Sequence, residues 1–285
     1  MLDAKKLTAA ALLLAALGAV YWQVIQKLVF DWGHDDNYSH GFLIVPLALY
    51  FSWERKERLE SLPLQPSWFG LGVFAGSLLT LLAGLLGAEL FLSRVSLVGV
   101  LAGMVLYLFG WAHLRALAFP LAFLLLMIPL PAIIFNQITF PLQLLASRAG
   151  ESAIAAAGIP VLREGNVIVL AHTTLEIAEA CSGIRSLITL ITLGLVYGYF
   201  ADPRLWVRAA LVVSAVPIAI LANGARVAGT GITAHWWGTE AAEGFFHEFS
   251  GWIVFLVAFG MMLGLQWLIG RLAPSRMPPA VTAAA

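Results

Sequence analysis

Residues 179–200 read EACSGIRSLITLITLGLVYGYF, and this stretch decides the fold class of the chain. Its polar head, Glu179 to Gly183, holds the single cysteine of the chain, Cys181, and an apolar run from Ile184 to Phe200 follows directly. A helix of about 20 apolar residues crosses a bilayer. The stretch therefore predicts a membrane-spanning helix, with Cys181 at the boundary between water and lipid.

The composition of the whole chain extends this prediction. Hydrophobic residues make up 61% of the chain, charged residues 11%, and the mean hydropathy is +0.90. In a soluble domain about a quarter of the residues are charged, so these values indicate a polytopic membrane protein. The formal net charge is zero and no basic patch alternates with aromatic residues, which argues against a nucleic acid as partner. One cysteine excludes a disulfide within the chain.

The apolar segments predict about eight spans in an all-α membrane protein, which we interpret as one integral membrane domain, 1–285. We read the first run as an uncleaved span, because Tyr21-Trp22-Gln23 closes it where a signal peptide would have a small-residue cleavage site. The predicted spans cover approximately residues 7–26, 39–53, 68–87, 93–111, 114–131, 184–200, 207–227 and 250–270.

One long segment outside the predicted spans, 132–183, separates spans five and six. Phe135 to Ala157 mixes apolar and polar residues in a helical rhythm, which predicts a helix lying on the outer membrane face. From Pro160 to Ala178 apolar residues alternate with smaller or polar ones, and Glu164-Gly165-Asn166 supplies a turn. This pattern predicts a small β-meander beside Cys181.

The distribution of basic residues predicts the orientation, because Lys and Arg concentrate in cytoplasmic loops. With both termini in the cytoplasm, ten of the sixteen Lys and Arg residues lie inside: Lys5, Lys6, Arg55, Lys56, Arg58, Arg115, Arg204, Arg208, Arg271 and Arg276. The segment with Cys181 then faces the opposite side.

Three residues at the ends of consecutive segments would meet on that outer side: Cys181, Arg226 and His247. A cysteine can attack as thiolate, an imidazole can take and return its proton, and a guanidinium can bind a developing oxyanion. The helix N-terminus and Arg185 both favour the thiolate. Asn223, one turn before Arg226, can hold the guanidinium or donate to the oxyanion. The set predicts acyl transfer through a thioester.

Simpler interpretations remain open for each of these residues. A single cysteine in a membrane protein is often a small apolar filler. Arg226 can anchor its span at the interface, and His247 can be an ordinary interfacial residue between phenylalanines.

A second polar cluster runs from Asp31 to Gly41, DWGHDDNYSHG, on the same predicted side. Its histidines and carboxylates are ligand types for a metal, but their spacing matches no rigid ligand motif, and we predict no metal or cofactor. Alternatively, His40, with Ser39, lines the pocket of Cys181 and supports or replaces His247 as base.

Two other function classes make different demands on these residues. A transporter would use Arg226, His247 and His40 to line a path for an anionic solute, but it should show paired broken helices in two related halves, and the sequence contains no such repeat. A non-catalytic assembly factor for polysaccharide export would not need Cys181 as a nucleophile.

Three stretches resemble the exosortase/archaeosortase family, whose members are polytopic membrane cysteine enzymes. They are YSHGFLIVP at 38–46, EACSGIRS at 179–186, and Asn223 to Val227 with His247 after it. The order of the stretches and the layout of spans also agree, so the resemblance covers nearly the whole chain.

The resemblance implies a catalytic set of Cys181, Arg226 and His247. As a separate hypothesis, Glu179 or Glu176 and Arg185 help to read the substrate motif, and Ser182 is a further candidate for substrate binding. The implied substrate is a membrane-anchored protein with a C-terminal sorting signal, made of a Pro-Glu-Pro motif, a membrane helix and a basic tail. Cleavage and transfer to an acceptor would occur at the periplasmic face of the inner membrane. Separate proteins of an exopolysaccharide system are implied as further partners.

Overall fold

The computed structural model describes residues 4–171, 173–177, 183–238 and 245–273. They fall into two compact units, 1–134 and 135–285. The interpretation as one integral membrane domain stays a prediction.

The first unit is helical throughout its regular structure. Its helices are α1 Ala4–Val20, α2 Trp22–His34, α3 Gly41–Glu54, α4 Lys56–Ser61, α5 Phe69–Leu86, α6 Leu90–Leu108, α7 Trp111–Ala116 and α8 Ala118–Phe123, which continues into a 3-10 turn, Leu124–Met127. The break between α1 and α2 is slight, because helical hydrogen bonds continue across Tyr21. The Tyr21 amide donates to the carbonyl of Leu17, and the Tyr21 carbonyl accepts the amide of Ile25.

The second unit combines helices with one small sheet. Its elements are α9 Ala132–Ala156, whose first residues lie in the first unit, β1 Val161–Glu164, β2 Val167–Leu170, β3 Thr174–Glu176, α10 Ile184–Ala201, α11 Leu205–Trp237 and α12 Phe245–Leu272. The strands form an antiparallel sheet in the order β1-β2-β3, with Val161 opposite Leu170 and Ile168 opposite Leu175. The β-meander predicted within 132–183 is therefore confirmed, and a helix covers the predicted helical region, while its placement on the outer membrane face stays a prediction.

The predicted count of about eight spans is not confirmed. Among the described residues, five helices are long and apolar enough to cross a membrane, namely α5, α6, α10, α11 and the part of α12 from Phe249 to Leu272. A sixth results if Ala118–Met127 and α9 form one broken span. Helix α3 is apolar but has only 14 residues. The predicted span 114–131 is instead divided among α7, α8 and the 3-10 turn.

Apolar packing fixes the sheet to the helices of the second unit. Ile154 of α9, Ile168 of β2 and Val227 of α11 belong to one buried cluster and are at most 4% exposed. The hydroxyl of Ser147 donates to the carbonyl of Gly165 at 3.0 Å, and the Arg163 guanidinium binds Glu151 at 3.0 Å. Because Val227 directly follows Arg226, this cluster holds the segment of α11 that carries the arginine.

Candidate functional site

Helix α10 begins immediately after the cysteine motif, Glu179 to Gly183, and the glycine at its end makes this start possible. Gly183 precedes the first helical residue with φ of 78° and ψ of 1°, in the left-handed region that glycine enters without steric cost. Its carbonyl accepts the amide of Leu187 at 2.8 Å, which closes the first turn. Gly183 therefore sets the direction in which the chain enters the helix.

Asn223 of α11 packs directly on this turn. A Cβ placed on Gly183 would lie 2.9 Å from Cβ and Cγ of Asn223, a distance shorter than real contacts allow. The Asn223 side chain is buried, with 5% of its surface exposed. Cys181 is two residues before Gly183, so the chain length alone keeps their Cα atoms within about 7 Å. Asn223 is thus held against Gly183, the last residue of the stretch that contains Cys181.

Arg226 follows Asn223 by one turn of α11 and reaches α12. A Cβ on Gly251 would lie 3.6 Å from both Cζ and Nη2 of Arg226, which is ordinary van der Waals contact. The guanidinium therefore lies beside Gly251. His247 occupies the helix position one turn before Gly251, since the two are four residues apart in α12. Arg226 itself is half-buried.

A cavity of about 10 Å³ lies beside Asn223 and is also lined by Gly183, Leu187 and Ala219. A space of this size is at the lower limit for holding one water molecule. Its walls are mainly apolar, and the amide of Asn223 supplies a polar side chain. A single water could be held next to the start of α10 in this space.

Several predicted site residues lie outside the described part of the structure. These are Cys181, Glu179 and Ser182, and the side chain of His247 as well. The prediction that Cys181, Arg226 and His247 line one cavity therefore stays a prediction. Arg185 is described; it is exposed in the first turn of α10, and its carbonyl accepts the hydroxyl of Thr189 at 2.8 Å.

The stretch from Tyr38 to Gly41 builds a corner within the first unit. The Tyr38 hydroxyl accepts the amide of Leu130 at 3.2 Å, and His40 Nε2 lies 3.1 Å from the carbonyl of Leu126. A Cβ on Gly41 would overlap the indole of Trp32. His40 is thus buried and anchored, whereas Ser39 is exposed.

Carboxylates in the cluster from Asp31 to Gly41 also have identifiable partners. Asp31 forms ion pairs with Lys27, at 2.9 Å, and with Arg94. The Asp35 carboxylate accepts the amide of Asn37 at 2.9 Å. Within the described residues there is no group of three or more His, Cys, Asp or Glu that could hold a metal ion.

Sequence reasoning did not single out Arg94, although the structure gives it a specific place. It lies on α6 and is 3% exposed, so a full charge is buried on a helix that is a candidate span. Such a charge is costly unless paired, and the pairing with Asp31 meets this requirement. The signal in the sequence was an arginine within a strongly apolar run.

Comparison with protein-family models gives a match over residues 32–264, to the family described as transmembrane exosortase. The match includes Cys181, Arg226 and His247 and covers more than half of the chain. Neither the curated proteins nor the solved structures gave a match. The chain belongs to the transmembrane exosortase family.

Proposed function

We propose that this chain is a membrane-embedded cysteine protease and transpeptidase that cleaves C-terminal sorting signals of exported proteins. The signal is expected to contain a Pro-Glu-Pro motif followed by a membrane helix and a basic tail. Its helix would diffuse in the plane of the bilayer and present the scissile peptide where the cysteine motif meets the membrane surface. Membership of the exosortase family supports this substrate class.

One observation supports the proposed roles of Cys181, Arg226 and His247. Asn223 on α11 contacts Gly183, which lies two residues after Cys181 in the sequence. Arg226, one turn later on α11, contacts Gly251, which lies four residues after His247. One helix face therefore connects the cysteine motif to the turn of α12 that follows the histidine. A guanidinium stays charged in apolar surroundings, so Arg226 is suited to bind the oxyanion or a substrate carbonyl.

The proposed reaction has two steps. The thiolate of Cys181 attacks the carbonyl carbon of the scissile peptide, a carbon–sulfur bond forms, and the carbon–nitrogen bond breaks. His247, having taken the thiol proton, returns it to the leaving amine. In the second step His247 takes the proton of a nucleophile on the acceptor, or of water, as this nucleophile attacks the thioester carbonyl; the carbon–sulfur bond breaks and the thiolate is released. Arg226 would stabilise the negative oxygen formed in each step.

The proposed setting is the inner membrane, with both termini in the cytoplasm and the site facing the periplasm. The excess of basic residues in the predicted inner loops supports this orientation. Acceptors and partners would belong to exopolysaccharide export. His40 would then serve the architecture of the first unit, through its contact with Leu126.

Trapping the thioester is the direct test of this function. Purified chain is mixed with a signal-bearing substrate, quenched in acid, digested and analysed by mass spectrometry. We expect the substrate fragment attached to the peptide containing Cys181. Variants C181A and C181S should give no adduct and no cleavage, while retaining the thermal stability of the parent. Cleavage by C181A at the parent rate would contradict the proposal and favour a non-catalytic assembly role.

A further inference from the structure

Strand β3 forms one edge of the small sheet in the second unit. Among the residues that the structure describes, the sheet has the order β1-β2-β3, so β3 is paired with a strand on one side only. Its first residue, Thr174, is exposed. An edge strand presents a row of unpaired N–H and C=O groups, which is a template for pairing with another peptide. The free edge of β3 is therefore a candidate peptide-binding surface.

The hydrogen bonds at the two ends of β3 define which residues bond to β2. The amide of Ile177 donates to the carbonyl of Asn166 at 2.9 Å. The carbonyl of Thr173 accepts the amide of Leu170 at 2.8 Å. The register between these two pairs is continuous, without a bulge. Because bonded and non-bonded positions alternate along an antiparallel strand, the bonded residues of this segment are 173, 175 and 177.

Thr174 and Glu176 occupy the intervening positions. Successive residues of a strand direct their backbone groups to opposite sides, so the amides and carbonyls of these two residues face away from β2. Proteins often block such an edge with a proline or a bulge. Strand β3, Thr174-Leu175-Glu176, contains neither. The edge therefore offers two amides and two carbonyls to an added strand.

The inner face of β3 fixes this edge to α11. Leu175 and Ile177 are 8% and 3% exposed and belong to the apolar cluster that includes Val227. A Cβ on Gly231 would lie 3.6 Å from Cδ1 of Leu175. Gly231 follows Arg226 by five residues, which is about 7.5 Å along the helix axis. The edge is thus held by the same part of α11 that carries the proposed oxyanion donor.

The chain also leads from β3 to the proposed nucleophile. Ile177 directly follows β3 and precedes Cys181 by four residues, so their Cα atoms cannot be more than about 14 Å apart. A peptide strand of four residues spans about 13 Å. The opposite edge of the sheet, at β1, is two strand spacings away, about 10 Å. A peptide paired with β3 can therefore extend to Cys181 within a few residues.

We propose that the free edge of β3 binds the extended peptide of the substrate as an added strand and directs its scissile bond to Cys181. The identity of the peptide rests on the proposed function. In an added strand, every second residue turns its N–H and C=O toward the edge. The prolines of a Pro-Glu-Pro motif are two residues apart. When the glutamate between them pairs with β3, both prolines lie where no N–H is required.

N-methylation of the substrate backbone tests this pairing. The full chain carrying C181A is used in detergent, so that binding is measured without turnover. The probe is a synthetic Pro-Glu-Pro signal that retains its membrane helix and is N-methylated at one residue at a time on either side of the motif. Displacement of a labelled, unmethylated signal gives the affinity. We expect every second N-methyl group to weaken binding by about tenfold or more, and the intervening ones to leave it unchanged. Weakening without this alternation overturns the proposal.

Proline substitution tests the edge of β3 itself, again with C181A. Thr174→Pro removes an outward amide that β2 does not use, so the sheet should stay folded and the signal should bind about tenfold more weakly or worse. Val161→Pro is the matched control. Val161 lies opposite Leu170, whose backbone bonds to β3, so the Val161 amide faces the other edge of the sheet and its loss should not affect binding. Circular dichroism and thermal unfolding verify both folds. Equal affinities of the two variants overturn the proposal.

Thioester trapping separates failure of the β3 edge from failure of the proposed function. Each N-methylated signal is also mixed with the parent chain, and the adduct on Cys181 is measured by mass spectrometry. If the adduct forms equally with every signal, the β3 edge is excluded and the function stands. If binding alternates but no adduct forms, the β3 edge stands and the function is excluded. A signal that does not bind C181A at all overturns the proposal.

Discussion

The guanidinium of Arg226 lies beside Gly251, where a Cβ would be 3.6 Å from its Cζ. This contact places a cation of α11 against α12 one turn after His247. One turn earlier on α11, Asn223 packs on Gly183. The two contacts make α11 the structural link between the segments that hold the proposed nucleophile and the proposed base.

Alanine at Gly183 should impair both stability and cleavage. The left-handed conformation costs a non-glycine residue about 1–2 kcal/mol, and overpacking against Asn223 adds about 1–3 kcal/mol. Gly251→Ala is the matched control, because its added methyl would make only ordinary contact with Arg226. Thermal unfolding in detergent and cleavage assays on both variants check this. If Gly183→Ala and Gly251→Ala had the same unfolding temperature and the same cleavage rate, the Gly183 turn would not be required.

Replacement of Arg226 should lower the rate of cleavage more than the affinity for substrate. Loss of one oxyanion donor lowers kcat by a factor of about 10²–10³, and we expect Arg226→Gln to lower kcat by a factor in this range. Arg226→Lys keeps the charge without the planar fork and should recover part of the rate. The exposed Arg148→Gln controls for lost positive charge. A change confined to KM would instead assign Arg226 to substrate binding.

Breaking the pair between Asp31 and Arg94 should destabilise the first unit. Asp31→Asn leaves the guanidinium of Arg94, which is 3% exposed, without its charged partner on α2. Loss of one member of a buried pair costs about 3–5 kcal/mol, and we expect the lower end because Asp31 is 20% exposed.

The measurement is thermal unfolding, with Glu151→Gln as control. Glu151 pairs with Arg163 where the two side chains are 35% and 22% exposed, and such pairs contribute about 0–1 kcal/mol. If both substitutions cost the same, the buried location of Arg94 would have no energetic consequence.

Acid should weaken the turn between α10 and α11. Hydrogen bonds from Arg204 hold the pKa of Asp202 below its usual value, although burial opposes them. The carboxylate binds Nη2 of Arg204 at 2.7 Å and the Arg204 amide at 2.8 Å. Because the folded pKa is depressed, this stability is fully present above the unfolded value of about 3.9 and is lost as pH falls through the folded pKa.

Thermal unfolding between pH 3 and pH 7 measures this effect. Asp202→Asn should unfold at a lower temperature than the parent near neutrality, and the difference should shrink toward pH 3. Glu57→Gln, at an exposed position of α4, controls for the loss of one negative charge. If the unfolding temperatures of Asp202→Asn and the parent differed by the same amount at every pH, ionisation of Asp202 would be excluded as the cause of the acid effect.

The sequence by itself determined the membrane class, the helix that follows the cysteine motif and the small β-meander. These features depend on local sequence pattern. An apolar run long enough to cross the bilayer must satisfy its backbone hydrogen bonds within itself, as a helix. Apolar residues that alternate with polar ones on either side of the turn at Gly165 favour strands. The helix predicted for Ile184–Phe200 is observed as Ile184–Ala201.

Tertiary structure decided what local pattern cannot express. The run 114–131 is apolar enough for a span, but it is divided into short pieces that place the carbonyls of Met127 and Leu126 opposite Trp32 and His40. The pairing of Arg94 with Asp31, 63 residues away, and the contacts of Asn223 and Arg226 likewise join distant segments. Such contacts depend on how whole helices pack, because the free energy of a buried charge or a close glycine contact is set by neighbours that are remote in the chain.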